Sequence, residues 1–323
     1  MKALVTGASG FIGSNLALHL QSIGWDVIAV DDLFSGDRAN LTGFNGRFIE
    51  LDLSDLRRFE SALGEIGGIS AIFHQAAITD PRHGDDAETY RKNVDGFKHL
   101  LHLAASSGVR KFVYASTAGI YGNGPTPMRE EHPPEILTAY GKSKLKMEVM
   151  AHEWSYVAGS PSRHVVGLRY FNVFGPRESH KGRPASMVYH LAKQMAAGQP
   201  PRLFKWGEQV RDHVYVKDVV QANLDALAAA PGAVFNIGTG VGTSFNDLVG
   251  MLNRVLGTRS NPEYFDMPYD PKTYQANTIA SLEKAMKPIK QGGLGYEVRW
   301  PTEKGIADYV SWLRTAGELS ANS

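Results

Sequence analysis

The chain contains no cysteine, which excludes disulfide frameworks, thiolate nucleophiles, iron–sulfur clusters and zinc held by sulfur. It also lacks an excess of one charge: 34 Lys and Arg face 33 Asp and Glu, for a formal net charge of +1. A basic surplus is the usual footprint of a nucleic-acid partner, so none is expected. No apolar run approaches the roughly 18 residues that a membrane-spanning helix needs, and Met1-Lys2 leads into Ala3-Leu4-Val5 without the layout of a secretory signal. These absences predict a cytoplasmic protein with no membrane partner, whose chemistry rests on oxygen, nitrogen or a bound cofactor. Internal repeats and low-complexity tracts are missing as well. At 323 residues, 43% hydrophobic and 21% charged, the chain can bury a core in one large or two unequal domains.

Glycine, by contrast, is plentiful at 34 residues, and its placement matters. Gly7, Gly10 and Gly13 lie between an apolar segment, Lys2 to Thr6, and a helically periodic one, Phe11 to Ile23; Asp26 to Asp31 then reads as a second strand. Strand, glycine turn, helix and strand make a parallel βαβ unit. Further strands are predicted at Arg47 to Leu51, Ala71 to His74, Lys111 to Ser116 and Val165 to Tyr170, with helices over Ala87 to Ser107 and Thr138 to Trp154. The alternation predicts an α/β fold, a Rossmann-like doubly wound parallel sheet with a smaller C-terminal substrate domain. Pro- and Gly-bearing stretches such as Gly175-Pro176 and Gln199-Pro200-Pro201 mark the second region. The expected division assigns residues 1–170 plus returning segments near 211–240 to the dinucleotide domain, 171–210 and 241–315 to the substrate domain, and 316–323 to a flexible tail.

The glycine turn lets a pyrophosphate approach the backbone, and the helix starting near Phe11 and Ile12 offers its free N–H groups to the phosphates. A turn that binds nothing is the alternative. Asp31, with Asp32 beside it, ends the second strand where an acid accepts ribose hydroxyls; Arg38, seven residues on, can instead meet a 2′-phosphate. Both NADP and NAD therefore remain open. Tyr140 and Lys144 stand four apart on a predicted helix and project from one face, so a cation neighbours a phenol that is otherwise a poor base. Such a pair is surface chemistry when isolated; the preceding glycine turn and the strand ending at Ser116 favour a site. Ser116 is the candidate to hydrogen-bond the same substrate oxygen. His74, His180 and His190 have no metal-ligand spacing with any Glu, so no metal is expected. Phe204 and Trp206 suit a sugar or base pocket, with core packing as the default.

Thr6-Gly7-Ala8-Ser9-Gly10-Phe11-Ile12-Gly13, Asp52-Leu53, His74-Gln75-Ala76-Ala77, Asn93, Ser116-Thr117 and Tyr140-x-x-x-Lys144 resemble an extended short-chain dehydrogenase/reductase. The likeness extends through Arg169-Tyr170-Phe171-Asn172-Val173-Phe174-Gly175-Pro176-Arg177 and Phe235-Asn236-Ile237-Gly238. It implies a tightly bound NADP or NAD held by the glycine turn, Asp52, Leu53, Gln75, Ala76, Ala77, Asn93, Tyr140 and Lys144, a nucleotide-sugar substrate, and assembly as a homo-oligomer. Glu178-Ser179-His180-Lys181-Gly182, His190-Leu191, Arg211-Asp212-His213 and Tyr274-Gln275-Ala276 further resemble the ADP-L-glycero-D-manno-heptose 6-epimerase family, which supplies a lipopolysaccharide precursor. That likeness implies Lys181 as a second acid/base facing Tyr140, and Asn172, His190, Arg211 and Tyr274 as contacts of an ADP-heptose. The chain departs from that family's pattern at Ser179, Arg183-Pro184 and Thr273.

Two acid/bases suit epimerisation at a carbinol carbon if the oxygen lies on opposite sides in the two half-reactions. On its own, Lys181 reads as a solvated loop lysine that neutralises phosphate. A UDP-hexose 4-epimerase needs the glycine turn, Ser116, Tyr140 and Lys144 but not Lys181. A 4,6-dehydratase wants an acid pair where this chain has Ala118-Gly119-Ile120. A non-catalytic redox sensor on the same fold is the alternative from another class.

Overall fold

Ala3, Leu4 and Val5 are each fully buried, so the first strand is covered on both faces, as a central parallel strand must be. The computed structural model describes residues 1–63, 66–80, 84–156, 163–268 and 274–319. Its first half runs β1 (Lys2–Thr6), α1 (Phe11–Ser22), β2 (Asp26–Asp31), β3 (Arg47–Glu50), α2 (Leu56–Leu63), β4 (Ala71–His74), α3 (Asp86–Ser106), β5 (Lys111–Thr117), α4 (Ala139–Ser155) and β6 (His164–Tyr170). Beyond β6 come β7 (Asn172–Phe174), α5 (Met187–Ala196), β8 (Arg202–Phe204), β9 (Val210–Tyr215), α6 (Val216–Asp225) and β10 (Val234–Ile237). The last part holds β11 (Gly242–Ser244), α7 (Phe245–Leu256), β12 (Glu263–Phe265), β13 (Asn277–Thr278), α8 (Glu283–Met286) and α9 (Thr302–Thr315).

The main sheet has seven parallel strands in the order β10-β6-β5-β4-β1-β2-β3. From β1 the chain moves outward to β2 on one side, and from β4 to β5 on the other. That reversal opens a crevice at the carboxyl ends of β1 and β4, where doubly wound sheets bind ligands. Alternation along each strand feeds two cores: Leu4, Ile28, Phe97 and Met147 lie on the face covered by α3 and α4, while Val5, Leu16, Val219 and Phe235 lie on the face of α1 and α6. A third cluster joins α5, α7 and α9 through Leu191, Leu248 and Leu313.

Three local expectations change. The segment returning after residue 211 does not enter the main sheet at once: β9 pairs with β7, β11 and β13, and β10 is the strand that rejoins β6. Strand β5 runs one residue past Ser116, to Thr117. The start of the expected tail is docked, because Gly317 turns the chain at φ +71 and lets the apolar Leu319 reach the third cluster, where it is 5% exposed. The carboxylate of Glu318 accepts the Tyr189 hydroxyl at 3.1 Å. Thr273 and residues 320–323 lie outside the described residues.

Candidate active site

The crevice is a cleft of about 460 Å³, and Gly7, Gly10, Phe11, Ile12 and Gly13 form one wall. Gly7 has φ +64, and a Cβ there would stand 2.6 Å from the amide nitrogen of Ala76; one on Gly13 would stand 2.0 Å from the carbonyl oxygen of Gly7. The turn is therefore drawn tightly against both β4 and α1, leaving backbone rather than side chains facing the cleft. Asp85, Thr138, Ser186 and Ser244 cap α3, α4, α5 and α7, whereas Gly10 provides no side-chain cap for α1. Free N–H groups and the partial positive charge of the helix end suit a pyrophosphate. The residues present fit a dinucleotide.

The ends of β2 and β3 form the next wall. Asp31 is 7% exposed; its two oxygens accept the N–H groups of Ser9 at 2.9 Å and Leu33 at 2.8 Å. Burial pushes its carboxyl up and these N–H bonds oppose the push. With the Gly10 N–H also bonded to the carboxyl, lone-pair capacity remains for one ribose hydroxyl. Asp32, Asp52 and Leu53 also line the cleft, and Lys92 bridges Asp32 and Asp52 at 3.1 Å each. Burial works against ionising Asp52, but Ser54 and Lys92 outweigh it and hold the carboxyl below its ordinary value. Arg38 lies outside this lining: it is exposed, with its guanidinium 3.5 Å from the centroid of the Phe48 ring.

The segment after β4 supplies the floor, with Gln75, Ala76 and Ala77 in the lining. The Gln75 amide is engaged with Asn223 at 2.9 Å and Tyr170 at 3.1 Å, so backbone there is what meets the cleft most freely. Asn93 also lines it, but both ends of its amide pin the backbone of Ile78, and its nitrogen donates to Ser143 at 3.0 Å.

Tyr140 and Lys144 occupy consecutive turns of α4. Lys144 is 1% exposed, donates to the Ala115 carbonyl at 2.8 Å, and has its nitrogen 5.8 Å from the centroid of the Tyr140 ring. Burial pushes the phenol up to about 12, with a hydrogen bond from Thr117 opposing, and pushes Lys144 down to about 7. Desolvation of both groups works against the shift toward a useful value that a neighbouring cation is expected to give the phenol.

Ser116 does not meet the phenol. Its hydroxyl, 1% exposed, donates to Glu148 at 2.5 Å, and Thr117 takes the place expected for it. Ser116 keeps the alternation of Phe112 and Tyr114 and points along α4 to Glu148, while Thr117, one residue nearer the end of the strand, reaches the phenol. Glu148 and Arg169 were not singled out from sequence either. They form a buried pair at 2.6 and 2.9 Å, and Arg169 also donates to Tyr121 at 2.8 Å. The signal for Glu148 was present: it is the next residue in the row Tyr140, Lys144, four positions further on.

Lys181 also lines the cleft, in a short turn after β7, with its nitrogen 5.6 Å from the centroid of Phe11. The turn is anchored from below. Fully buried Glu178 accepts from the Gly175 and Ser186 amides and the Ser186 hydroxyl, Arg177 donates to the Asn40 carbonyl at 3.1 Å, and the Asn40 amide donates to Nδ1 of His180 at 2.9 Å. Burial lowers Lys181, opposed by Glu178 and Asp80.

Three of the expected substrate contacts cluster. Tyr274 lies edge-on to Phe204 at 6.2 Å, and Arg211 sits 5.2 Å over the Tyr274 ring. Asn172 reaches the same strands by donating to Thr278 at 2.8 Å, whereas His190 contacts the Arg183 carbonyl on a separate loop at 3.3 Å. Trp206 is not core: it is 60% exposed beside Tyr264.

Residues 3–238 match the NAD dependent epimerase/dehydratase family. The fold matches an ADP-L-glycero-D-manno-heptose-6-epimerase from Helicobacter pylori at 35% identity and a TM-score of 0.85, covering 97% of this chain and 96% of that one. It also matches a Thermotoga maritima UDP-glucose 4-epimerase solved with UDP-glucose, at 33% identity and a TM-score of 0.88, over 98% and 99% of the two chains. A Thermus thermophilus UDP-glucose 4-epimerase in complex with NAD matches at 30% identity and a TM-score of 0.81, over 98% and 100%. With a glycine turn open to a pyrophosphate, a Tyr-Lys row beside it and these likenesses over nearly its whole length, the chain belongs to the NAD dependent epimerase/dehydratase family.

Proposed function

We propose that the protein interconverts the C6 epimers of ADP-glycero-manno-heptose by transient oxidation and re-reduction. Bound NAD would supply the acceptor and donor of the hydride. Tyr140, assisted by Thr117 and Lys144, takes the proton of the sugar hydroxyl and returns it. Lys181 does the same for the oxygen in its other orientation, and its lowered pKa suits that duty. The reading is carried by the delivery of Lys181 into the glycine-turn cleft on an anchored segment. Lys181→Met is expected to lower turnover of ADP-heptose by about 10²-fold or more with bound cofactor unchanged. Rates within about threefold of the parent, a loss below about 0.7 kcal/mol, would remove Lys181 from the chemistry.

A second reading, a UDP-glucose 4-epimerase, is favoured by the position of Lys181 over Phe11, where an ammonium can serve the cofactor's phosphates. Under it, Lys181→Met weakens cofactor binding and leaves the chemical step alone.

We infer NAD rather than NADP as the resident cofactor. Asp31 faces the ribose position, Lys92 is neutralised by Asp32 and Asp52, and Arg38 is stacked on Phe48. A 2′-phosphate would meet carboxylate without a committed cation. Equilibrium binding to cofactor-stripped protein should give a Kd for NADP at least about tenfold above that for NAD, or about 1.4 kcal/mol; equal affinities would show that Arg38 swings in.

A further inference from the structure

We propose that Glu148, clamped by Arg169 and Ser116, is the counter-charge that holds Lys144 as an ammonium beneath Tyr140, and so acts as a positioning residue of the site. The inference rests on the reading of Tyr140 and Lys144 as a proton-transfer pair. Tyr140, Lys144 and Glu148 follow one another at four-residue spacing along α4, so they share one face of the helix. Strand β5 meets that face at three points: Thr117 at the phenol, the Ala115 carbonyl at Lys144, and Ser116 at Glu148. Glu148 and Arg169 are each 7% exposed and bonded through two contacts at 2.9 and 2.6 Å.

Such a pair is a poor device for stability, because desolvating two charges costs about as much as their attraction returns. A local use for the carboxylate is the better explanation. A lysine as buried as Lys144 tends to lose its proton, and a neutral amine gives a phenolate no support. Among the described groups around Lys144, His74 on β4 is driven toward its neutral form by burial and by Lys144 itself, Tyr140 is a phenol, and the Ala115 oxygen is uncharged. Glu148 is the group whose negative charge opposes the loss of the proton. Glu148 in turn is faced by Arg169 from β6, by Ser116 and the neutral Tyr114 from β5, and by Lys144 on its own helix; Arg169 is completed by the Tyr121 hydroxyl and the Glu130 carbonyl. The two Arg169 contacts and the Ser116 hydroxyl give this buried carboxylate charge-assisted and neutral hydrogen bonds in place of water.

The test is a pH titration of tyrosinate absorbance in the purified holoenzyme, taken as the difference from Tyr140→Phe, which isolates the one phenol. Because an ammonium beside the phenol offsets part of the rise that burial causes, the parent midpoint should lie below that of Lys144→Met. Glu148→Gln should raise it by about one pH unit or more, and Glu148→Asp, which keeps the charge, should stay near the parent. If Glu148→Gln does not fold, because the Arg169 charge is then buried unpaired, Glu148→Gln with Arg169→Gln removes both charges and should raise the midpoint likewise. A parent midpoint below that of Lys144→Met that neither charge-deleting variant moves overturns the role of Glu148 and leaves the Tyr140–Lys144 pair standing. A parent midpoint no lower than that of Lys144→Met overturns the pair and this inference with it.

Discussion

Tyr140→Phe should lower turnover by about 10³-fold, the range lost when a positioned acid/base is removed, while the protein keeps its cofactor and its melting temperature. The substitution deletes one oxygen and preserves the ring. The partner of that oxygen is the Thr117 hydroxyl, which also receives the Gly119 amide at 3.0 Å, so it is not stranded when the phenol goes. The ring does not line the glycine-turn cleft, so cofactor contacts there are untouched. The loss should therefore lie in the chemical step, seen as a fall in kcat with bound NAD at parental stoichiometry. A fall of less than about tenfold, or 1.4 kcal/mol, would pass the proton transfer to another group, and Thr117 would be the first to examine.

Gly13→Ala is expected to abolish tight cofactor binding. The added Cβ would sit 2.0 Å from the Gly7 oxygen and 2.6 Å from its carbon, both backbone atoms. Gly7 has little room to retreat on its other side, since a Cβ placed on it would stand 2.6 Å from the backbone nitrogen of Ala76. Helix α1 must move away from the turn instead, withdrawing the N–H groups that face the pyrophosphate, and overpacking of this kind costs about 1–3 kcal/mol in stability besides. The matched control is Gly250→Ala in α7, where the nearest atom is the Arg254 side chain at 3.7 Å. That change should leave NAD binding alone and slightly raise stability, as alanine does for glycine within a helix. Retained NAD in Gly13→Ala, measured by cofactor content after gel filtration, would show that the turn has slack that the geometry denies.

The glycine turn was legible in the sequence because its requirement is local: positive φ at Gly7 and room for backbone at Gly13 admit few other residues. The near-continuous apolar strands were legible for a similar reason, since burial on both faces leaves no polar positions. The choice between Ser116 and Thr117 was not. Two adjacent hydroxyls at a strand end differ in which residue of α4 each one reaches, and that depends on where pairing with β6 stops, at Thr117 opposite Tyr170. Arg38 was placed by spacing alone, and an aromatic ring distant in sequence, Phe48, decides where its guanidinium rests. Glu148 lay in plain periodicity, yet its meaning depends on Arg169, which reaches it from a strand 21 residues away. Lys181 enters the cleft through Glu178, Arg177 and Asn40, none of which advertises such a role in sequence.

The central claim concerns the substrate, and proton NMR in D₂O of the purified protein without added cofactor tests it most directly. ADP-D-glycero-D-manno-heptose and UDP-glucose are followed in separate samples. The account predicts that the heptose converts to its L epimer with protium retained at C6, because a resident nicotinamide returns the same hydride. No change in the heptose, with UDP-galactose forming from UDP-glucose, would contradict it and assign Lys181 to phosphate binding.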